Sequence, residues 1–145
     1  RMLDLGLPSY LISATVLGVM AQRLVRVLCP SCKKSTPATA EDEAMWDRLV
    51  APWKANRPSQ FHQPVGCLDC RMTGYRGRVG IYEILMLSAD MKQLVSDNAE
   101  IARIRDLAYR EGMKPLRISG AMKVAAGLTT LEEVVKVAPP VEQRA

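Results

Sequence analysis

Two stretches decide how this chain reads: Arg23-Leu24-Val25-Arg26-Val27-Leu28-Cys29-Pro30-Ser31-Cys32, and Cys67-Leu68-Asp69-Cys70-Arg71-Met72-Thr73-Gly74-Tyr75-Arg76-Gly77-Arg78-Val79-Gly80-Ile81-Tyr82-Glu83-Ile84-Leu85. Each holds two cysteines separated by two residues, and together they use every cysteine in the sequence. That spacing lets one short turn aim both sulfurs at a single ion. Two such turns complete a tetrahedral set, with Zn–S distances of about 2.3 Å. One CxxC is a weak signal, because redox-active pairs share it; two that exhaust the cysteines are a strong one. The candidate metal ligands are Cys29, Cys32, Cys67 and Cys70, and the expected ion is structural Zn2+.

Working outward, the first pair follows an alternating run at 23–28, the pattern of a half-buried strand. The second leads through a glycine-containing turn into a β-branched and aromatic run at 78–85. The metal is therefore expected to pin the open ends of an antiparallel strand pair, with the intervening loop hanging outside. The 34 residues between Cys32 and Cys67 exceed the roughly 15–20 of a compact zinc ribbon. The excess reads as an insertion, and a clip at its base removes part of the entropy cost of closing so long a loop. Three alternatives stay open: disulfides, a thioredoxin-like redox pair, and four thiols without metal. Disulfides are disfavoured because nothing resembles a secretory signal and cytosolic thiols stay reduced. The redox reading lacks a βαβ pattern around either pair. His62 could serve as a ligand, but with four thiols at hand it reads as a loop histidine.

At 145 residues the chain is long enough for one domain with its own core. It begins with arginine and runs directly into Leu3-Asp4-Leu5-Gly6-Leu7-Pro8, which reads as a segment of a longer protein. Formal charge is +5 with thiols counted neutral; four thiolates holding one Zn2+ bring it to about +3. Residues 1–87 hold eleven Lys/Arg against seven Asp/Glu, so the basic excess lies in the cysteine half. Lys33, Lys34, Arg71, Arg76 and Arg78 read as offsetting thiolate charge, with an acidic or nucleic-acid partner as the sharper alternative. Aromatics make up 5% of the chain, too few for a base-stacking platform. The apolar run Leu11–Ala21 is about half the roughly 20 residues that a membrane span needs.

Along the chain, Pro8-Ser9 opens a helix expected to reach Met20, with Ser9 as cap and Leu11, Ile12, Val16, Leu17 and Met20 inward. A strand follows at 22–28. Thr39 with Asp42 predicts a capped helix over 40–50, and 51–63 reads as loop. Trp46 and Trp53 are expected to cover the metal turns or a neighbouring surface rather than to stack bases. Ser88 opens a helix to Asp97, and Asn98 caps another over 99–111 that stops at Gly112. Pro115 starts a third, ending at Gly127, and Thr129-Thr130 with Glu132-Glu133 reads as a capping box for a last one through Val137. These four are expected to form one small bundle on the strand pair, with Met91, Met113 and Met122 filling its core. Residues 138–145 are expected to be disordered.

No G-x-x-x-x-G-K-[ST] phosphate loop and no G-x-G-x-x-G after a strand occurs. With one histidine, a Ser–His or Cys–His pair has little material, and a tetrathiolate site leaves no open coordination position. This stretch is not expected to be an enzyme by itself, and no catalytic residue is assigned.

The blocks Leu5–Ala14, Gly18–Lys33 and Gly66–Glu83, with the closing Glu111-Gly112-Met113-Lys114-Pro115-Leu116 and Gly127–Val134, resemble the C-terminal part of the bacterial secretion ATPases. These are the motors of type II secretion and type IV pilus assembly. The resemblance implies an α+β fragment of a RecA-like P-loop ATPase. Residues 1–28 would end the core, 29–75 would be the zinc module with an inserted helix and loop, and 76–137 the last strand and C-terminal helical subdomain. It further implies a hexameric, cytoplasmic parent, peripheral at the bacterial inner membrane and coupled to a membrane-embedded platform protein. The parent's ATP and Mg2+ would be held upstream of Arg1. A different class of reading is a free-standing zinc ribbon binding nucleic acid through Arg71, Arg76 and Arg78, although no nucleic acid is expected on the motor reading.

Overall fold

A computed structural model describes residues 2–138. The chain is α+β and divides into two compact units, residues 2–21 with 83–114 and residues 22–82 with 115–138. Strands β1 (Gly18–Leu28) and β4 (Tyr75–Met86) pair as a two-stranded ladder that contributes residues to both units.

The first unit holds α1 (Ser9–Thr15), α3 (Ala89–Ser96) and α4 (Ile101–Arg110). Helix α1 packs on α3, and α3 on α4, around Ile12, Met91 and Ala108. The helix expected to reach Met20 stops at Thr15: Val16 is already extended (φ −78°, ψ 124°), and the run continues as β1. The reason lies in the residues themselves, since Thr15 and Val16 are β-branched and Gly18 lets the two strands approach closely. A Cβ on Gly18 would meet the Leu85 carbonyl at 3.0 Å. Leu11, Leu17 and Met20, expected inward, are exposed. Ser9 is not the cap; its hydroxyl instead donates to the Ser96 carbonyl at 3.0 Å. Ser88 does cap α3, accepting from the Met91 N–H at 3.1 Å. Asn98 ends α3 in left-handed backbone, φ 51°, rather than starting α4, whose cap position is Glu100.

The second unit holds β2 (Lys34–Pro37), α2 (Ala40–Val50), β3 (Gln60–Gln63), α5 (Leu116–Ala125) and α6 (Leu131–Val137). Strands β2 and β3 are antiparallel, in the register Lys34↔Gln63 through Pro37↔Gln60. The stretch expected to be loop throughout 51–63 thus contains a strand. The insertion between the cysteine pairs does not hang outside either. It supplies Trp46, Leu49, Val50 and Phe61 to a core completed by Val25, Ile81, Ile118, Val124, Leu131 and Val134. Trp46 lies edge-on to Phe61, ring centroids 6.1 Å apart, so it is a core residue and not a cover for the metal turns. Met122 is likewise exposed rather than core-filling.

The expected capping box at Thr39 is present: its hydroxyl accepts from the Asp42 N–H at 3.1 Å and the Asp42 carboxylate accepts from the Thr39 N–H at 3.0 Å. At the other end of α2, buried Arg117 donates to the carbonyls of Leu49 (2.9 Å) and Ala51 (2.6 Å). A cation there also opposes the negative end of the helix dipole. Helices α5 and α6 meet at Gly120, where an added Cβ would collide with buried Val134. The four helices expected as one bundle are divided, α3 and α4 in the first unit, α5 and α6 in the second. Ala138 packs in the second core, and the rest of the expected tail lies outside the described residues. Among those residues, no helix is long and apolar enough to cross a membrane.

Candidate metal centre

The two cysteine turns are built differently. After β1, the Cys29 carbonyl accepts from the N–H of Cys32 (3.3 Å) and Lys33 (3.0 Å), closing the first knuckle. The second is tighter: the Cys67 carbonyl accepts from Cys70 (3.3 Å) and Met72 (2.8 Å), across a 3-10 turn at Leu68–Cys70. Arg71 and Met72 then take left-handed backbone, φ 51° and 63°. Gly74 must be glycine twice over, because its φ is +75° and a Cβ would lie 2.5 Å from Pro64 Cβ. Its carbonyl accepts from the Cys29 N–H at 2.9 Å, which ties the second knuckle to the first.

The result brings the Sγ atoms of Cys29, Cys32, Cys67 and Cys70 all within 4.8 Å of one another. Separations are 3.9 Å for Cys29–Cys67, 3.9 Å for Cys32–Cys70 and 3.7 Å for Cys67–Cys70. A regular tetrahedron of sulfurs around zinc has edges of about 3.8 Å, from Zn–S bonds of about 2.3 Å. Disulfides require about 2.05 Å, and all four cysteines are free. The donor set therefore fits a four-coordinate, thiophilic ion. His62 does not join it. That side chain lies on β3 opposite Ser35, and its ring occupies the space where a Cβ on Gly127 would point.

Backbone donors serve the sulfurs. Gly66 N–H reaches Cys32 Sγ at 3.3 Å, and Cys70 Sγ accepts from Cys67 (3.1 Å) and Gly74 (3.2 Å). Burial pushes the Cys70 thiol up, but those two N–H groups and the neighbouring sulfurs outweigh it and bring it down to about 6. For Cys67, a backbone hydrogen bond pulls down, while desolvation and the sulfurs of Cys70 and Cys32 push it up to about 11. A divalent cation held by the four sulfurs would offset the negative charge of thiolates brought this close.

Three contacts bind the knuckles to the α5–α6 turn. Leu28 N–H donates to the Leu128 carbonyl (2.8 Å), Lys33 Nζ to the Gly127 carbonyl (2.7 Å), and Tyr75 Oη lies 3.4 Å from Thr130 Oγ1. Behind them, Arg26 makes a bidentate pair with Glu133: Nη2–Oε1 is 2.6 Å and Nε–Oε2 is 2.9 Å. The guanidinium also stacks 4.0 Å above Tyr75, and Thr129 Oγ1 donates to the Arg26 carbonyl at 2.7 Å. The Arg26 hydrogen bond holds the Glu133 carboxyl down at about 2. Sequence reading finds the cysteines and the Thr130 cap, but not Arg26, Glu133 or the Lys33 contact, whose partners lie far away along the chain. One N–H of the Lys33 ammonium is used on the Gly127 carbonyl, which fixes where this cation sits beside the first knuckle.

This paired-knuckle geometry lies within a longer match. The model of the family described as type II/IV secretion system protein matches residues 1–136. The chain belongs to the type II/IV secretion system protein family. The chain is 47% identical over 139 residues to the type IV pilus assembly ATPase TfpB of Acinetobacter baylyi, covering 96% of the chain and 23% of that relative. It is 45% identical to the type IV pilus assembly ATPase PilB of Myxococcus xanthus (93% and 24% covered). With type II secretion system protein E of Aeromonas hydrophila it shares 38% (94% and 26% covered). The chain spans about a quarter of the length of these curated relatives.

Proposed function

We propose that this chain is the C-terminal part of a hexameric motor ATPase that powers type II secretion or type IV pilus assembly. In this reading a phosphate-loop core elsewhere in the longer protein binds ATP and Mg2+ and does the chemistry. The present stretch hydrolyses nothing alone. Residues 1–28 finish the core, 29–75 form the metal module, and 76–137 complete the C-terminal helical part. The motor works in the cytoplasm at the inner membrane, and this region passes rigid-body movement to a platform protein in that membrane and to neighbouring subunits.

The ion at Cys29, Cys32, Cys67 and Cys70 is structural zinc. All four thiolates bind it, no coordination position is left open, and its role is stiffness. The observation that carries the reading is that the α5–α6 turn is bound to both knuckles through Leu28, Lys33 and Tyr75. An ion that locks the knuckles therefore also fixes where α6 begins. Force cannot pass through a segment that unfolds locally, and a metal clip raises the cost of local opening.

Replacing Cys67 with Ser tests this. Zinc content should fall below one per chain, and hydrogen exchange should quicken through residues 28–80. Full metal occupancy with unchanged thermal stability would refute the structural role. Nucleic-acid binding, the reading in which Arg71, Arg76 and Arg78 hold phosphates, predicts affinity that drops steeply with salt; the motor reading predicts no specific complex.

A further inference from the structure

We infer that the outer side of the second knuckle, residues 65–78, is a docking surface for a protein segment that carries carboxylates around an apolar side chain. Leu68 is 90% exposed, Met72 67% and Val65 52%. A single exposed apolar residue means little. Leu68 and Met72 in one hydrogen-bonded turn, with Val65 two residues ahead of it, concentrate exposed apolar surface on a single loop. Leu68 opens the 3-10 turn, and its carbonyl accepts from the Arg71 N–H at 3.1 Å, so the side chains are presented by a fixed backbone.

Two further observations point to recognition. Arg71 and Met72 both hold left-handed backbone, at φ 51° and 63°. Residues with a Cβ avoid that region by about 1 kcal/mol or more each, and such strain concentrates at functional sites. Glycine would sit there without cost. Second, Arg71, Arg76 and Arg78 are exposed, and among the described residues none has an ion-pair partner, with Asp69 the nearby acid in sequence.

The residue types select the partner. Phosphate backbones give no reward for Leu68 and Met72, and Tyr75, the one aromatic in 65–78, already has the Arg26 guanidinium stacked on its ring. Anionic membranes draw on lysine as readily as arginine, whereas all three cations here are arginine. Arginine and methionine are enriched at protein interfaces while lysine is depleted, and the guanidinium fork matches a carboxylate in two parallel hydrogen bonds. An acidic, apolar-anchored protein segment uses both halves of the patch. Only the expectation that this partner belongs to the secretion or pilus machinery rests on the function proposed above.

The test is a titration of the zinc-loaded, nitrogen-15-labelled chain, followed by NMR at physiological salt. The probes are a short helical peptide with a Glu/Leu face, its Lys/Leu and Glu/Ser counterparts, duplex DNA, and phosphatidylglycerol vesicles. The Glu/Leu peptide should shift resonances at 65–78, and the other probes should not. Arg71→Glu and Leu68→Ser should each weaken it about tenfold or more, with zinc content and exchange protection unchanged. Equal binding by the Glu/Ser peptide, shifts elsewhere, no saturable binding of the Glu/Leu peptide, or preference for DNA or vesicles would overturn the assignment. A folded but zinc-free chain would instead count against the structural-zinc reading and leave this surface standing, so the two failures are distinguishable.

Discussion

Glu133 shows how one side chain joins the strand that leads into the first cysteine turn to the last helix. Of the two threonines that the sequence offers as caps, Thr130 caps α6, accepting from the Glu133 N–H. The Glu133 carboxylate does not turn back to close the box; it reaches across to Arg26, with Lys136 as a second cation at 3.1 Å. The pairing lowers its pKa from 4.5 to about 2. The folded state therefore takes up this proton less readily than the unfolded chain. Its stabilisation is complete above about pH 5 and fades as pH falls toward 2. In urea unfolding, Glu133→Gln should lose about 2 kcal/mol at neutral pH, and the gap from the wild type should close in acid. A gap that stays constant with pH would mean the pair does not titrate in this range. Arg117 makes a similar long-range contribution. Arg117→Met leaves the Leu49 and Ala51 carbonyls without their donor, at a cost of about 2–3 kcal/mol in the same assay.

Among elements, what is legible in the sequence is what local chemistry decides. Thr39 with Asp42, Ser88, Gly112, Gly127 and Thr130 each act within one helical turn of their own position, and each marks a helix end. Elements decided at a distance are not legible. Strand β3 is four residues held extended by distant partners, β2 beside it and the core that receives Phe61. Helix α1 reads too long because Leu11–Ala21 is mostly apolar, and apolarity alone does not separate a helix from a strand. Asn98 carries a cap signal, but tolerance of left-handed backbone equally suits a helix stop. The α5–α6 crossing is also long-range, and it inverts an ordinary rule. Glycine to alanine inside a helix normally stabilises by up to about 1 kcal/mol. At Gly120 the new Cβ would strike Val134, a stiff, buried side chain, so Gly120→Ala should destabilise by about 1–3 kcal/mol. Adding Val134→Ala should recover part of that loss in a double-mutant cycle; simple additivity would contradict the close crossing.

Across the molecule, the convergence of the four cysteines is legible because each CxxC turn aims two sulfurs at one point, while the role of the excursion between them is not. Its helix and strand fill the second core with Trp46, Leu49 and Phe61, and no local pattern tells a hanging insertion from one that folds back. The knuckles are thus the base of a packed unit as well as a clip on a loop. Chelation should accordingly quicken hydrogen exchange beyond the cysteine turns, at the start of α6 and in β1 near Leu28. The most direct measurement is elemental analysis of freshly purified, reduced chain alongside its exchange protection. The account predicts one zinc per chain, with protection over residues 28–80 that disappears when the ion is stripped. A chain that carries no metal and keeps that protection in full would contradict it.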